Sequence, residues 1–218
     1  MKNIIFIAAP AAGKGTQARL FSLEYNIPHI STGDLLRDEV DSGSNLGNFL
    51  KSEMDTGKLI SDDVIFNLIR KRISQVDCNN GYILDGFPRN LDQAITYDNL
   101  LNELGKEVGL VVHMHIDKEL TYKRTMNRLI CSTCGTSYNQ AVPELSPNID
   151  GICNKCGHLL KQRSDDNEET FINRYETYQR ETKPLLGYYE EKGILKNITV
   201  EEHDTIDDIF QKIKAMIN

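Results

Sequence analysis

Four cysteines stand in two matching half-sites, Cys131-Ser-Thr-Cys134-Gly and Cys153-Asn-Lys-Cys156-Gly, with eighteen residues between the pairs. Two thiolates on one tight turn can face one metal ion, and a second such turn completes a tetrahedron. Gly135 and Gly157, one after each pair, suit the backbone reversal that such a knuckle needs. The spacing predicts a structural metal site, zinc by preference, and tetrahedral thiolates suit iron as well. Two disulfides are the alternative use of the same residues. Sulfur at all four positions leaves no coordination site for a catalytic water. The fifth cysteine, Cys78, has no partner in sequence and reads as a free thiol.

A second constellation suits phosphate. The stretch Ala8-Ala9-Pro10-Ala11-Ala12-Gly13-Lys14-Gly15-Thr16 follows an apolar run and precedes a helical one. A loop between a buried strand and a helix start aims several N–H groups at one point. Lys14 adds a full charge there, and the helix dipole reinforces it. The match to G-x-x-x-x-G-K-[ST] is irregular: Ala8 replaces the first glycine, and Gly15 takes the hydroxyl position one residue before Thr16. A plain strand-to-helix turn with an exposed lysine is the other reading of this loop.

These groups need a scaffold, and the chain alternates strand and helix. Asn3 to Ala8 is nearly continuous apolar sequence, as for a strand buried on both faces. A helix is expected from Gly15 to about Tyr25, and a short extended piece at Pro28-His29-Ile30. Ser61 is placed to cap a helix starting at Asp62 and Asp63. Gly81 to Asp85, Leu110 to Ile116 and Leu195 to Val200 read as strands. Asp204 to Ile217 closes as a helix with a stripe of Ile206, Ile209, Phe210, Ile213 and Ile217. Repeated strand-then-helix implies an α/β fold with a parallel sheet covered on both faces. Two stretches interrupt it: 31–60, polar and helical in character, and 131–163, loop-rich, where metal would replace a core.

Composition narrows the function. Apolar content of 39% and charged content of 26% over 218 residues fit a globular chain with a sizeable core. No apolar run approaches the roughly 20 residues that span a bilayer. The start is too short for a signal peptide, so a cytoplasmic protein with reduced cysteines is expected. A net charge of -7 argues against broad nucleic-acid binding, yet a few arginines can still focus positive potential in a cleft. The 131–163 stretch carries one net positive charge, too little for a zinc-ribbon nucleic-acid module.

Further stretches complete a pattern: Ser31-Thr32-Gly33-Asp34-Leu35-Leu36-Arg37, Asp85-Gly86-Phe87-Pro88-Arg89, and Arg163-Ser164-Asp165-Asp166 followed by Arg174. With Gly13-Lys14-Gly15-Thr16-Gln17-Ala18 they closely resemble adenylate kinase, and the cysteine insertion resembles the zinc-bearing lid of its long bacterial form. The resemblance covers essentially the whole chain. It implies a P-loop kinase fold with a parallel five-stranded sheet flanked by helices. Residues 1–30, 61–126 and 165–218 would form the core, 31–60 an inserted monophosphate-binding helical region, and 127–164 the lid. It implies a monomer that transfers a phosphoryl group from Mg-ATP to AMP, giving two ADP, with structural Zn2+ and no nucleic-acid or membrane partner.

The resemblance also assigns roles. Ala11, Ala12, Gly13, Lys14, Gly15 and Thr16 would cradle ATP, with Arg124, Arg128 and Tyr138. Thr32, Arg37, Met54, Lys58, Ile60, Gly86, Arg89, Gln93, Arg163 and Arg174 would bind AMP. Met54 and Ile60 also fit plain packing roles. Lys14, Arg89, Arg124, Arg128, Arg163 and Arg174 would neutralise the migrating group, for which the planar guanidinium fork is suited. Asp85 would organise Mg2+ or its waters, and Asp34 would assist or serve as a helix cap. Asp165 and Asp166 would orient arginines or sit as solvated hinge charges. Gln93 offers a donor and an acceptor to an adenine edge.

The chain departs from the family at Ala8 and Ala11, which replace two glycines, at Leu129, where a second arginine is usual, and at Asn139, where histidine is common. If position 11 requires positive φ, alanine costs on the order of 1 kcal/mol there. Asn90 is shared with UMP/CMP kinases, which keeps that acceptor class open. The altered loop keeps open a weakly active nucleotide sensor.

Overall fold

The computed structural model describes residues 3–55, 60–163 and 166–217, with side chains for all of these but 53–55. In chain order the elements begin β1 (Asn3–Ala8), α1 (Lys14–Tyr25), β2 (His29–Ser31), α2 (Thr32–Asp41), α3 (Asn45–Asp55) and α4 (Asp62–Ile73). They continue β3 (Ile83–Asp85), α5 (Leu91–Glu103), β4 (Val108–Ile116), α6 (Lys118–Met126), β5 (Arg128–Cys131), β6 (Ser137–Asn139) and β7 (Leu160–Lys161). The chain closes with α7 (Glu168–Thr177), a π-helical turn at Tyr178–Thr182, α8 (Leu185–Glu191), β8 (Leu195–Val200) and α9 (Ile206–Ile217). No helix among the described residues is long and apolar enough to cross a membrane.

The main sheet is five-stranded and parallel, in the order β2-β3-β1-β4-β8. Helices cover both faces, which is the α/β P-loop kinase fold expected above. The pattern of β1 explains the two layers. Ile4, Phe6 and Ala8 join a cluster with α1 and α9, while Ile5 and Ile7 join a second cluster with α4, α5 and α8. Side chains alternate across a strand, so a continuous apolar run is what a strand packed on both sides needs. Phe21 of α1 stands 4.5 Å, centroid to centroid, from Phe210 of α9 and is fully buried. The stripe read from the last helix therefore locks the first helix to the sheet. The helix starts at Ile206, two residues later than the sequence pattern suggested.

The 131–163 stretch has more regular structure than its loop-rich sequence indicates. A small antiparallel sheet, β6-β5-β7, pairs Leu129 with Tyr138 and Cys131 with Leu160. Strands of two to four residues leave too short a pattern for alternation to show in sequence. Cys131, Tyr138 and Cys153 form its buried hydrophobic cluster, with Leu129, Cys134, Cys156 and Leu160 packed against them. Leu129 thus fills part of the miniature core. This segment touches the main body at Glu144, whose carboxylate accepts from the Ile206 N–H at 3.1 Å.

Asp166 ties the segment's two ends together. It is 3% exposed and accepts from Arg128 Nε at 2.8 Å and from a second guanidinium nitrogen. It orients an arginine and is not a solvated hinge charge. Asp165 and Ser164 lie outside the described residues. Removing one partner of a buried pair strands the other. Asp166→Ala is expected to lower unfolding free energy by about 3 kcal/mol in urea titrations. A loss below about 1 kcal/mol, the level of a surface pair, would contradict the anchoring role.

Candidate active site

The carboxyl ends of β1 and β3 bring the phosphate-loop lysine and the strand-end carboxylate together. The loop turns through Ala11 at φ 56° and Gly13 at φ 98°, then enters α1 at Lys14. Ala11 is in the left-handed region, as the departure from glycine made testable. Ala8 keeps strand geometry, pairs with Met114 and is buried, so only one of the two replaced glycines carries backbone strain. Lys14 Nζ donates to the carbonyls of Ala8 at 3.1 Å and Ala9 at 3.4 Å. Lys14 is half-buried, and protein crowds its ammonium. That desolvation lowers its pKa, Asp85 opposes the shift, and Arg89 and Arg128 add to it.

Asp85 ends β3 beside β2. Burial alone would raise its pKa, but His29, Lys14 and Arg89 outweigh burial and hold the carboxyl below its ordinary value. His29 Nε2 is 3.6 Å from Asp85 Oδ2, an ion-pair separation too long for a hydrogen bond. A methyl placed on Gly15 would stand 3.4 Å from the same oxygen, which shows how near α1 comes to it.

The turn after β3 shapes the next set. Gly86 has φ 82°, and a Cβ there would meet Thr32 Oγ1 at 2.9 Å, closer than a side chain tolerates. Thr32 donates to Gly86 O at 3.1 Å, and Arg89 Nε donates to the same carbonyl at 2.8 Å. Arg89 is exposed by surface area, yet neighbouring protein still desolvates its guanidinium. Desolvation lowers its pKa, with Asp85 opposing and Arg174 reinforcing. Gln93 is buried at the start of α5, where Asn90 is the N-cap and accepts from the Gln93 N–H at 2.8 Å. Asn90 has a structural reason for its identity, which removes its weight as a sign of another acceptor.

The remaining expected residues divide. Lys14, Asp85, Arg89, Arg128 and Arg174 lie within electrostatic reach of their neighbours in this group. Arg124 on α6 is 7% exposed, and its buried Nε has no hydrogen-bond partner. Burial lowers its pKa against the pull of Asp204 and Glu202. Its carbonyl accepts from Asn139 Nδ2 at 2.7 Å, so Asn139 joins the 131–163 segment to α6. Arg37 on α2 is exposed and pairs with Asp34. Ser31, not Asp34, caps α2. Ile60 is half-buried and Arg163 follows β7. Tyr138 turns its hydroxyl to Cys153 Sγ at 3.4 Å and accepts from Asn154 N–H at 2.8 Å, so its side chain belongs to the cysteine cluster. Lys58 and the side chain of Met54 lie outside the described residues.

Sequence reading missed the partners behind these groups. Nothing in one sequence links Asp166 to Arg128 or Asn139 to Arg124, because each pair closes only in space. The Asn90-x-x-Gln93 spacing is a capping signature and was the available signal for that turn.

The four cysteines are free thiols whose sulfurs all lie within 4.8 Å of one another. Cys131 and Cys156 Sγ are 3.4 Å apart, and Cys134 and Cys153 Sγ 3.6 Å. Tetrahedral bonds of about 2.3 Å to a zinc ion require sulfurs about 3.8 Å apart, so the cluster fits such an ion. Gly135 and Gly157 close identical turns at φ 69° and 74°, each donating to the carbonyl of the first cysteine at 2.9 Å.

Comparison with known proteins agrees with this geometry. The family model described as adenylate kinase matches residues 6–194. The adenylate kinase of Bacillus cytotoxicus is 44% identical over 216 residues, covering 99% of this chain and 98% of that one. That of Thermodesulfovibrio yellowstonii is 44% identical over 215 residues, covering 99% and 98%. That of Archaeoglobus fulgidus is 43% identical over 215 residues, covering 99% and 97%.

The left-handed alanine is the feature of this site most open to measurement. Ala11→Gly relieves about 1 kcal/mol of strain and loses about half of that to glycine's freedom in the unfolded chain. Urea unfolding is expected to show a net gain of about 0.5 kcal/mol. A destabilised variant would mean that the alanine is accommodated without strain.

Proposed function

The chain belongs to the adenylate kinase family, and on that premise we propose how its own residues divide the transfer of a phosphoryl group from Mg-ATP to AMP. The observation that carries the assignment is the gathering of Lys14 and Arg89 beside Asp85 at the strand ends, with Arg128 close to Lys14 and Arg174 close to Arg89. An oxygen of the AMP phosphate bonds to the γ-phosphorus of ATP as the bond from that phosphorus to the bridging oxygen breaks. ADP leaves on one side and ADP forms on the other. The nucleophile is already anionic, so the step needs positioning and charge neutralisation and no dedicated base.

Lys14 and the N–H groups of Ala11, Ala12, Gly13, Gly15 and Thr16 hold the ATP phosphates. Arg124 and Arg128 flank them, and the unpartnered Nε of Arg124 suits an anion or a base plane. Tyr138 meets ATP through its backbone, since its side chain is committed elsewhere. Arg89, anchored by Gly86 O, directs its fork at the AMP phosphate together with Arg37, Arg163 and Arg174. Thr32, Gly86, Gln93 and Ile60 line the AMP base and ribose, and Met54 and Lys58 are assigned to AMP by the resemblance alone. Asp85 stays ionised and is suited to hold Mg2+ or its waters, which when bound neutralises phosphate charge.

The same reading divides the chain into a core of 1–30, 61–126 and 165–218, a monophosphate-binding region of 31–60 and a lid of 127–164. The lid excludes water that would otherwise accept the phosphoryl group. Cys131, Cys134, Cys153 and Cys156 hold structural Zn2+ that stiffens it. We read the protein as a cytoplasmic monomer whose partners are ATP, AMP and ADP.

The test is ADP formation from Mg-ATP with AMP, CMP or UMP as acceptor. AMP-dependent turnover is expected, and Ala11→Gly should raise kcat/KM for ATP. Turnover with CMP or UMP alone would move the acceptor assignment. No turnover from folded, metal-loaded protein would favour the sensor reading. Metal analysis is expected to find one zinc per chain, and chelation to lower the melting temperature. A chelator without effect on melting would count against a structural metal.

A further inference from the structure

Gln93 is held from two sides. Its Nε2 donates to Asp62 Oδ1 at 2.7 Å, and its Oε1 accepts from the Arg89 N–H at 2.7 Å. The residue is 5% exposed. A carboxylate only accepts and a backbone N–H only donates, so these two partners fix which end of the amide is oxygen and which is nitrogen. Turning the amide over would set Oε1 against the Asp62 carboxylate and the NH2 against another N–H. One N–H and one carbonyl lone pair of the amide remain for a further partner.

We propose that Asp62 is a specificity-determining positioning residue: it locks the amide orientation in which Gln93 meets the acceptor base. The inference rests on the reading above that Gln93 touches that base. Adenine presents an amine donor beside the ring acceptor N1, which a fixed oxygen and a fixed N–H complement. Hypoxanthine presents the reverse, a carbonyl acceptor beside the donor N1–H, and needs the amide turned over. Cytosine has the same order as adenine. Asp62 therefore sorts amine bases from lactam bases, and ring size is left to the rest of the pocket. A site built around oriented polar groups discriminates strongly because the wrong partner leaves them unpaired.

Asp62 is exposed and begins α4 beside Asp63, which supplies the control. The measurement is kcat/KM for AMP and for IMP at saturating Mg-ATP in wild type, Asp62→Asn, Asp63→Asn and Gln93→Leu. An asparagine at 62 can donate as well as accept, so the inverted amide becomes tolerable on that side. The AMP-to-IMP preference is expected to fall about fivefold in Asp62→Asn, the factor carried by one hydrogen bond of ordinary strength. The change should appear in KM for the monophosphate and not in KM for ATP. Asp63→Asn, which removes the same charge from the same helix end, should keep the wild-type preference. A preference in Asp62→Asn within about twofold of wild type, or an equal fall in Asp63→Asn, overturns the proposal. Gln93→Leu separates the two levels. Raised KM for AMP there, with Asp62→Asn silent, defeats the positioning role alone. Unchanged KM for AMP defeats the base contact itself, and the proposal with it.

Discussion

Like charges crowd at the carboxyl ends of β1 and β3, where Lys14 and Arg89 flank Asp85, Arg128 stands close to Lys14 and Arg174 close to Arg89. Free side chains would separate. Here each of three cations is tethered from behind: Lys14 by the carbonyls of Ala8 and Ala9, Arg89 by that of Gly86, and Arg128 by Asp166. For Lys14 and Arg89 neutral carbonyls fix direction without cancelling charge, whereas Asp166 offsets the charge of Arg128, so positive potential survives at the first two. Fixed dipoles and charges of this kind need no reorganisation when charge moves. The register of β1 against β3, with Phe6 opposite Asp85, sets the spacing on which the arrangement depends.

Much of this was legible in the sequence for a physical reason. A strand buried on both faces must be apolar without interruption, and a phosphate loop must follow it at once, so β1 and Lys14 announce each other. The knuckle turns were equally plain, since Gly135 and Gly157 are required by backbone geometry and repeat at one spacing. What stayed hidden is what closes across the fold. Arg128 with Asp166, Arg124 with Asn139, and Gln93 with Asp62 are separated by 38, 15 and 31 residues. Spacing rules describe neighbours on one element and say nothing of such partners. Tyr138 shows the same limit: its ring could face a nucleotide or the cysteines, and only the pairing of Leu129 with Tyr138 places it among the latter.

The 131–163 segment shows how little apolar material a fold can use when another constraint stands in. Three short strands bury few side chains, and sulfurs occupy the place of aliphatic groups. Thr136 and Tyr138 place hydroxyls at 3.2 and 3.4 Å from Cys134 and Cys153 sulfurs. Hydrogen bonds of this kind hold ligand orientation in metal sites. Leu129 and Asn139 serve this small body and its attachment to α6.

The sheet order also governs how the chain is made. β1 comes before both of its neighbours in the chain, yet it lies at the centre of the sheet, between strands at 83–85 and 108–116. Until both have been synthesised, an uncharged hexapeptide rich in isoleucine has two unpaired edges and two bare faces. The finished fold hides it completely and leaves its outer edges to three-residue β2 and to β8, where Lys196 and Asn197 are exposed. For this protein the hazard of aggregation therefore belongs to the nascent chain, and its duration is set by translation of the stretch from β1 to the end of β4.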